Sequence, residues 1–214
     1  MVSLLSSKTS LWAILLPLYV GFRMYWVNRL PIMDCDEVYN YWEPLHYMQY
    51  KVGFQTWEYA PQYALRTYVY LLPLHTLQKY ILLPLLENFN GGMTQLLVDY
   101  DIISTKLQSF VWMRAILAGC TGLSEVLFVR ALSYRVPFKY ALTQKATNPS
   151  PLISSSTSFF VALIMLFSTG MCHASGALLP SSTVMTMWLW AATAYVYQYV
   201  YLFCMVAVCA TLTT

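Results

Sequence analysis

Four stretches of nearly unbroken apolar sequence, 11–30, 107–132, 152–171 and 183–208, each approach the ~20 residues that a helix needs to cross a bilayer. That feature constrains the fold more than any other, because a surface helix of a soluble domain keeps a polar face and these stretches keep none. Composition agrees. The 214 residues are 58% hydrophobic and 10% charged, whereas an average soluble domain carries about 25% charge. A soluble chain this short buries too little of its area to hide so much apolar surface. Aromatic residues make up 16% of the chain, and no low-complexity period is present, which excludes disorder, collagen and coiled coil. The expected fold is therefore an all-α polytopic membrane protein: one domain, 1–214, with about four transmembrane helices. A net charge of +3, scattered along the chain, predicts no nucleic-acid partner. The five cysteines form no C-x-x-C pair, so neither a metal site nor a disulfide framework is expected. No N-x-S/T sequon is present, since Asn148 is followed by Pro149.

Charge placement orients the spans. Segment 31–106 holds eight acidic and four basic residues, while 130–145 holds four bases and no acid. Basic loops stay cytosolic, so 133–151 is expected in the cytosol and 31–106 in the lumen. That arrangement needs an odd number of crossings between the two loops. A further apolar segment, 63–86, is therefore assigned to the membrane surface within the lumenal loop; Pro73 and Pro84 interrupt it, and it carries Arg66, His75, Gln78 and Lys79. The first span reads as a retained signal anchor, because Arg23 and Arg29 follow its core and no small-x-small cleavage site does. The expected order is then helix 11–30, lumenal loop 31–106, helix 107–132, cytosolic loop 133–151, helix 152–171, lumenal loop 172–182 and helix 183–208.

The first helix leads straight into Asp34-Cys35-Asp36-Glu37. After it Val38, Tyr41, Trp42 and Leu45 recur at helical spacing, the stripe of an amphipathic helix lying on a membrane. Two readings of the carboxyls coexist. Asp34-x-x-Glu37 has the form of a capping box, and acids suit a helix start. A carboxylate held on a rigid helix start is also well placed to act as a general base on a hydroxyl. Next comes an aromatic run, Gly53 to Tyr63. An interfacial belt accounts for its rings, but Gln55 and Glu58 beside Trp57 and Tyr59 also offer hydrogen bonds and faces that suit a sugar ring.

Two charges fall inside the second span, where they are costly and seek a cavity or a partner. Arg114 is expected roughly 10 Å deep, within reach of a lipid-linked phosphate or snorkelling to the interface. Glu125, eleven residues on, shares its face but is ~16 Å away, so the two cannot pair and Glu125 either finds a partner on another helix or snorkels to the interface. His173 has no second ligand nearby and is a poor metal candidate, while Ser181 or Ser182 suits the cap of the last helix.

At Asp34-Cys35-Asp36-Glu37-x-Tyr39-Asn40-Tyr41-Trp42-Glu43-Pro44-Leu45-His46, continued by Gln55-Thr56-Trp57-Glu58-Tyr59-x-Pro61-x-Tyr63-Ala64-Leu65-Arg66, the sequence closely resembles the dolichyl-phosphate-mannose-dependent alpha-1,2-mannosyltransferases of N-glycan precursor assembly, in the GT-C family. The likeness is strong over about 31–70 and looser over 105–195, through Arg114 and Leu178-Leu179-Pro180-Ser181-Ser182. The resemblance implies a multi-pass protein of the endoplasmic reticulum membrane. It implies transfer of mannose from dolichyl-phosphate mannose to a dolichyl-diphosphate oligosaccharide, with inversion and without a cofactor. The aligned base is Asp36, with Glu37 orienting or capping. Asp34, Gln55, Trp57, Glu58 and Tyr59 would line the substrate site, and Arg66 or Arg114 would stabilise the leaving phosphate. Related GPI-anchor mannosyltransferases carry His-Pro-Asp-Glu at the motif, which makes them the alternative relatives. Members of the family are considerably longer than this chain. A truncated, non-catalytic membrane fragment with a regulatory or lipid-binding role is therefore the alternative of a different class, and a small transporter explains none of the motif strings.

Overall fold

The computed structural model describes residues 16–82, 84, 101–133, 155–197 and 199–212. The basic loop 133–151 lies almost wholly outside the described residues, as do the first residues of the 11–30 span and the later part of 31–106. Among the described residues there are helices and no strands. Helix α1 covers 16–27. A π-helical turn, Glu37–Trp42, then runs into α2, Glu43–Tyr50, with Pro44 in its first turn, where a missing N–H costs nothing. A 3-10 turn at Trp57–Tyr59 precedes α3, Leu71–Leu77, which continues as a second π turn, Gln78–Leu82. Helix α4 is Asp101–Ser133, α5 is Ser155–Phe167, α6 is Thr169–Ala174, α7 is Pro180–Val196 and α8 is Val200–Leu212.

Within α4 the 28-residue stretch Lys106–Ser133, whose most apolar 18 residues have a mean hydropathy of 1.6, is the one helix among the described residues long and apolar enough to cross a membrane. The described run Leu71–Leu82 is about 18 Å long. Two expected spans differ from what folds. The 152–171 segment breaks at Ser168, in extended backbone between α5 and α6. The 183–208 segment is two helices, because the chain reverses after Val196 and α8 packs back along α7. Hydropathy averaged along the chain does not register a reversal between two equally apolar arms.

Helix α1 is clamped between α4 and α5. Gly119 and Gly122 let α4 approach Val20, Arg23 and Met24 closely, as small residues do between membrane helices. On the other side Phe22 meets Phe167 edge-on, with ring centroids 5.8 Å apart. Arg23, an unexplained charge in the sequence, is 1% exposed and answers Glu125: its Nε and Nη2 donate to the two carboxylate oxygens at 3.1 and 3.0 Å. The same guanidinium donates to Met165 O at 2.7 Å and to Cys172 Sγ at 2.9 Å, joining α1, α4, α5 and α6 at one buried point.

The described core lies at the other end of α1, beyond Val27. Trp42, Leu45, Tyr70, Leu71, Leu74, Phe110, Met113 and Leu178 form one cluster, with the Trp42 and Phe110 rings 5.1 Å apart. The stripe Val38, Tyr41, Trp42, Leu45 thus packs on the protein's own α3, α4 and 178 segment instead of lying on a membrane. Lys106 Nζ reaches Glu43 Oε1 at 2.6 Å and ties α2 to the start of α4. Gly176 passes so close to α4 that a Cβ there would lie 2.7 Å from the Arg114 carbonyl oxygen and would also meet Val27. Gly176→Ala is therefore expected to destabilise the protein by about 1–3 kcal/mol through overpacking, read as a lower thermal unfolding temperature in detergent. An unchanged unfolding temperature would contradict this packing.

Candidate active site

Asp36 stands at the entrance to the π turn, a distortion that often marks functional positions. Its Oδ1 accepts Nδ2–H of Asn40, one turn on, at 2.9 Å, and its Oδ2 accepts Nη2–H of Arg66 at 2.8 Å. Arg66 uses its other edges as well, with Nε donating to Glu58 Oε2 and Nη1 to the Tyr41 hydroxyl. The backbone fixes this arrangement. The N–H groups of Leu65 and Arg66 both donate to Glu58 O, at 3.1 and 3.2 Å, closing the loop that carries the arginine. Tyr59 donates its hydroxyl to Asn40 O at 2.6 Å, fastening the aromatic run to the acidic helix. Asp36 keeps a side chain 37% exposed, so a braced carboxylate remains open on one side.

The tyrosines around it stay protonated. Burial pushes the Tyr41 hydroxyl up, with Arg66 opposing and Asp36 adding. Burial raises Tyr59 as well. Tyr70 is pushed up to about 12 by burial, partly offset by its 3.0 Å hydrogen bond with Thr183.

Glu37 faces the other way. It is 2% exposed, its Oε1 lies 3.1 Å from Arg114 Nε, and the same oxygen accepts the Leu178 N–H at 3.3 Å. Burial pushes the Glu37 carboxyl up; Arg114 and the Leu178 N–H oppose this, and Asp34 adds to it. Beside this pair opens a cavity of about 260 Å³, lined among others by Asp34, Glu37, Arg114, His173, Ser181 and Ser182.

The fold thus sorts the expected residues into two adjoining groups, with the Asp34 carboxylate within 4.8 Å of that of Asp36. Asp36, Glu58, Tyr59 and Arg66 gather around one carboxylate, and Asp34, Glu37 and Arg114 gather around the cavity. Gln55 and Trp57 join neither: Gln55 donates to Tyr68 OH at 2.6 Å, and Trp57 is exposed with its ring edge-on to Tyr63. Several expectations change. No capping box forms, since Asp34 Oδ1 accepts the Asp36 N–H at 2.9 Å while Glu37 turns to Arg114. Helix α7 opens on Leu179 rather than on a serine, with no side-chain cap. Arg66 has its guanidinium spread over three acceptors, and Arg114 has its charge matched by Glu37. Asp34, Cys35 and Asp36 bring ligand atoms within 4.8 Å of one another, but both Asp36 oxygens already accept hydrogen bonds.

Sequence reasoning gave no role to Asn40 or to the Tyr41 hydroxyl. The i, i+4 spacing from Asp36 was the available signal for Asn40; nothing local marked Tyr41, whose partner Arg66 arrives from a separate loop.

Comparison with known proteins bears directly on this arrangement. The family model of the Alg9-like mannosyltransferases matches residues 12–213. Alpha-1,2-mannosyltransferase ALG9 of Homo sapiens is 35% identical over 154 residues, covering 72% of this chain and 20% of the relative. Alpha-1,2-mannosyltransferase algn-9 of Caenorhabditis elegans is 36% identical over 156 residues, 73% of this chain and 20% of its own length. Alpha-1,2-mannosyltransferase ALG9 of Arabidopsis thaliana reaches 71% identity over 41 residues, 19% of this chain and 7% of that protein. The chain thus covers about a fifth of the length of the relatives it matches along most of its own. No solved structure matches it. With the acidic motif, its arginine brace and the matched 12–213 taken together, this chain belongs to the Alg9-like mannosyltransferase family.

Proposed function

We propose that this chain carries the base-bearing part of an enzyme that moves mannose from dolichyl-phosphate mannose to a dolichyl-diphosphate oligosaccharide, in an alpha-1,2 linkage with inversion. The reaction is assigned to the lumenal face of the endoplasmic reticulum membrane, with the chain crossing that membrane more than once. One observation carries the reading: a carboxylate, Asp36, fixed on both oxygens by Asn40 and Arg66 yet exposed on one side. Each carboxylate oxygen has a second lone pair, so Asp36 can still accept the proton of an acceptor 2-hydroxyl. The oxygen freed of that proton attacks the anomeric carbon from the face opposite the phosphate. A beta-linked phosphomannose then gives an alpha glycoside, with dolichyl phosphate leaving. Arg66 holds the base in place, with three of its five N–H groups spent on Asp36, Glu58 and Tyr41. No metal and no cofactor enter the step.

The test uses membranes bearing the complete gene product, supplied with labelled dolichyl-phosphate mannose and a lipid-linked oligomannose acceptor. Label should appear in the oligosaccharide and be released by an alpha-1,2-specific mannosidase. Label that resists that enzyme would overturn the linkage, and transfer that proceeds equally from a nucleotide sugar alone would overturn the donor.

A further inference from the structure

Three acceptors hold the Arg66 side chain, and one of them is the carboxylate assigned as the base. Nη2 donates to Asp36 Oδ2 at 2.8 Å, Nη1 donates to the Tyr41 hydroxyl and Nε donates to Glu58 Oε2. A guanidinium is a rigid planar fork. Contacts at Nε and Nη1 therefore fix both its plane and its rotation, and the direction of Nη2 follows from them. Glu58 and Tyr41 are the holders, and Asp36 is the group they aim the arginine at. Tyr41 is itself steadied by Tyr70, which meets its ring edge-on with centroids 5.4 Å apart.

Of the two holders, Glu58 acts twice. Its carboxylate takes the Nε–H in a charge-assisted bond, the stronger kind. Its carbonyl oxygen accepts the N–H groups of Leu65 and Arg66 at 3.1 and 3.2 Å, which sets where the arginine backbone stands. The turn closed in this way carries Ala64 at φ 45°, in the left-handed region that favours glycine. Such a conformation persists where its surroundings over-determine it. The next residue, Tyr59, fastens to Asn40 O, and Asn40 donates to Asp36 Oδ1. The 3-10 turn Trp57–Tyr59 thus grips the arginine with one residue and the helix beside Asp36 with the next. The Glu58 side chain is 22% exposed against 37% for Asp36, so of the two carboxylates sharing Arg66 the holder is the more enclosed. We propose that Glu58 is a positioning residue for mannose transfer: it sets the plane of the Arg66 guanidinium, and through it the aim of the Asp36 carboxylate, without touching either substrate. This inference rests on the reading of Asp36 as the base, and it gives Glu58 a task other than lining the substrate site. A lining residue contacts a sugar before reaction, so its loss raises KM, whereas a residue that only holds the base acts on kcat.

The test compares two substitutions in the complete gene product. Glu58→Met keeps the length of the side chain but offers no comparable acceptor, and Glu58→Gln keeps an acceptor for the Arg66 Nε–H. Initial rates are measured in membranes with labelled dolichyl-phosphate mannose and a lipid-linked oligomannose acceptor, each varied in turn. Glu58→Met is expected to lower kcat by roughly 10–100-fold, the scale of a misplaced catalytic group, with KM for donor and acceptor unchanged. Glu58→Gln should recover most of that kcat. Glu58→Ala takes the place of the methionine variant should that protein fail to fold. The hold on Arg66 is read separately, by the rate at which phenylglyoxal modifies this arginine in the detergent-purified protein, followed by peptide mass spectrometry. Modification should be slow in the wild type and in Glu58→Gln and severalfold faster in Glu58→Met. A raised KM for either substrate with kcat kept would make Glu58 a substrate contact and overturn the proposal. So would a Glu58→Met protein with wild-type kcat, a Glu58→Gln protein as impaired as Glu58→Met, or an Arg66 modified no faster in Glu58→Met. Wild-type protein that transfers no mannose would sink the function proposed above, and the modification rates would still decide whether Glu58 holds Arg66.

Discussion

Asp36→Asn is expected to lower mannose transfer by about 10²–10⁴-fold, the usual contribution of a positioned general base. The substitution is nearly isosteric. An asparagine can still accept from Asn40, but it presents no anion to Arg66 and has little basicity toward a hydroxyl. The loss should therefore fall on kcat, with the unfolding temperature little changed, because the pair it removes is partly exposed and such pairs contribute at most about 1 kcal/mol. The measurement is the initial rate of labelled mannose transfer in membranes carrying equal amounts of wild-type and variant protein. Transfer within a factor of two of wild type would remove Asp36 from the role of base.

Glu125→Ala should produce the largest loss of stability of any single substitution in the described part of the molecule. The carboxylate is 0% exposed and matches both donor edges of a guanidinium that is itself 1% exposed. Removing one member of a buried pair leaves the other charge uncompensated, at about 3–5 kcal/mol. For a chain of this size each kcal/mol lowers the unfolding temperature by roughly 2–4 °C. The double replacement Arg23→Met with Glu125→Leu is expected to recover most of that loss, since apolar substitutes for a whole buried pair are often neutral or stabilising. Recovery should be partial, because Arg23 also holds Met165 O and Cys172 Sγ. Thermal unfolding of the three proteins in one detergent gives the comparison, and a Glu125→Ala protein as stable as wild type would show that the clasp carries no net weight.

Much of the candidate site was legible along the chain because its groups are neighbours. Asp34, Asp36 and Glu37 sit within one turn, and the string from Gln55 to Arg66 is long and rich in tryptophan and tyrosine. What eluded sequence reasoning involves distant partners or changes of direction. Of the two expectations for Glu125, a partner on another helix is the one that folds, but the partner, Arg23, lies 102 positions away and had served only as a flank of the first span. Arg114 had read as reaching a lipid-linked phosphate or snorkelling, and its carboxylate, Glu37, stood in another segment. The chain reversal between α7 and α8 left no glycine or proline to mark it.

The sequence by itself determined that this chain is helical and strongly apolar, and it placed the acidic and aromatic motif strings of the mannosyltransferase family at 34–66. Those properties depend on composition, periodicity and local chemistry, which survive in one dimension. Only the tertiary structure decided which carboxylate faces which cation. It turned Asp36 toward Arg66 and Asn40 and turned Glu37 toward Arg114, so that successive residues serve two different sites. The physical reason is that charges buried at low dielectric must be matched at contact distance, and contact between α1, α4 and the 175–182 connection exists only once the helices have packed.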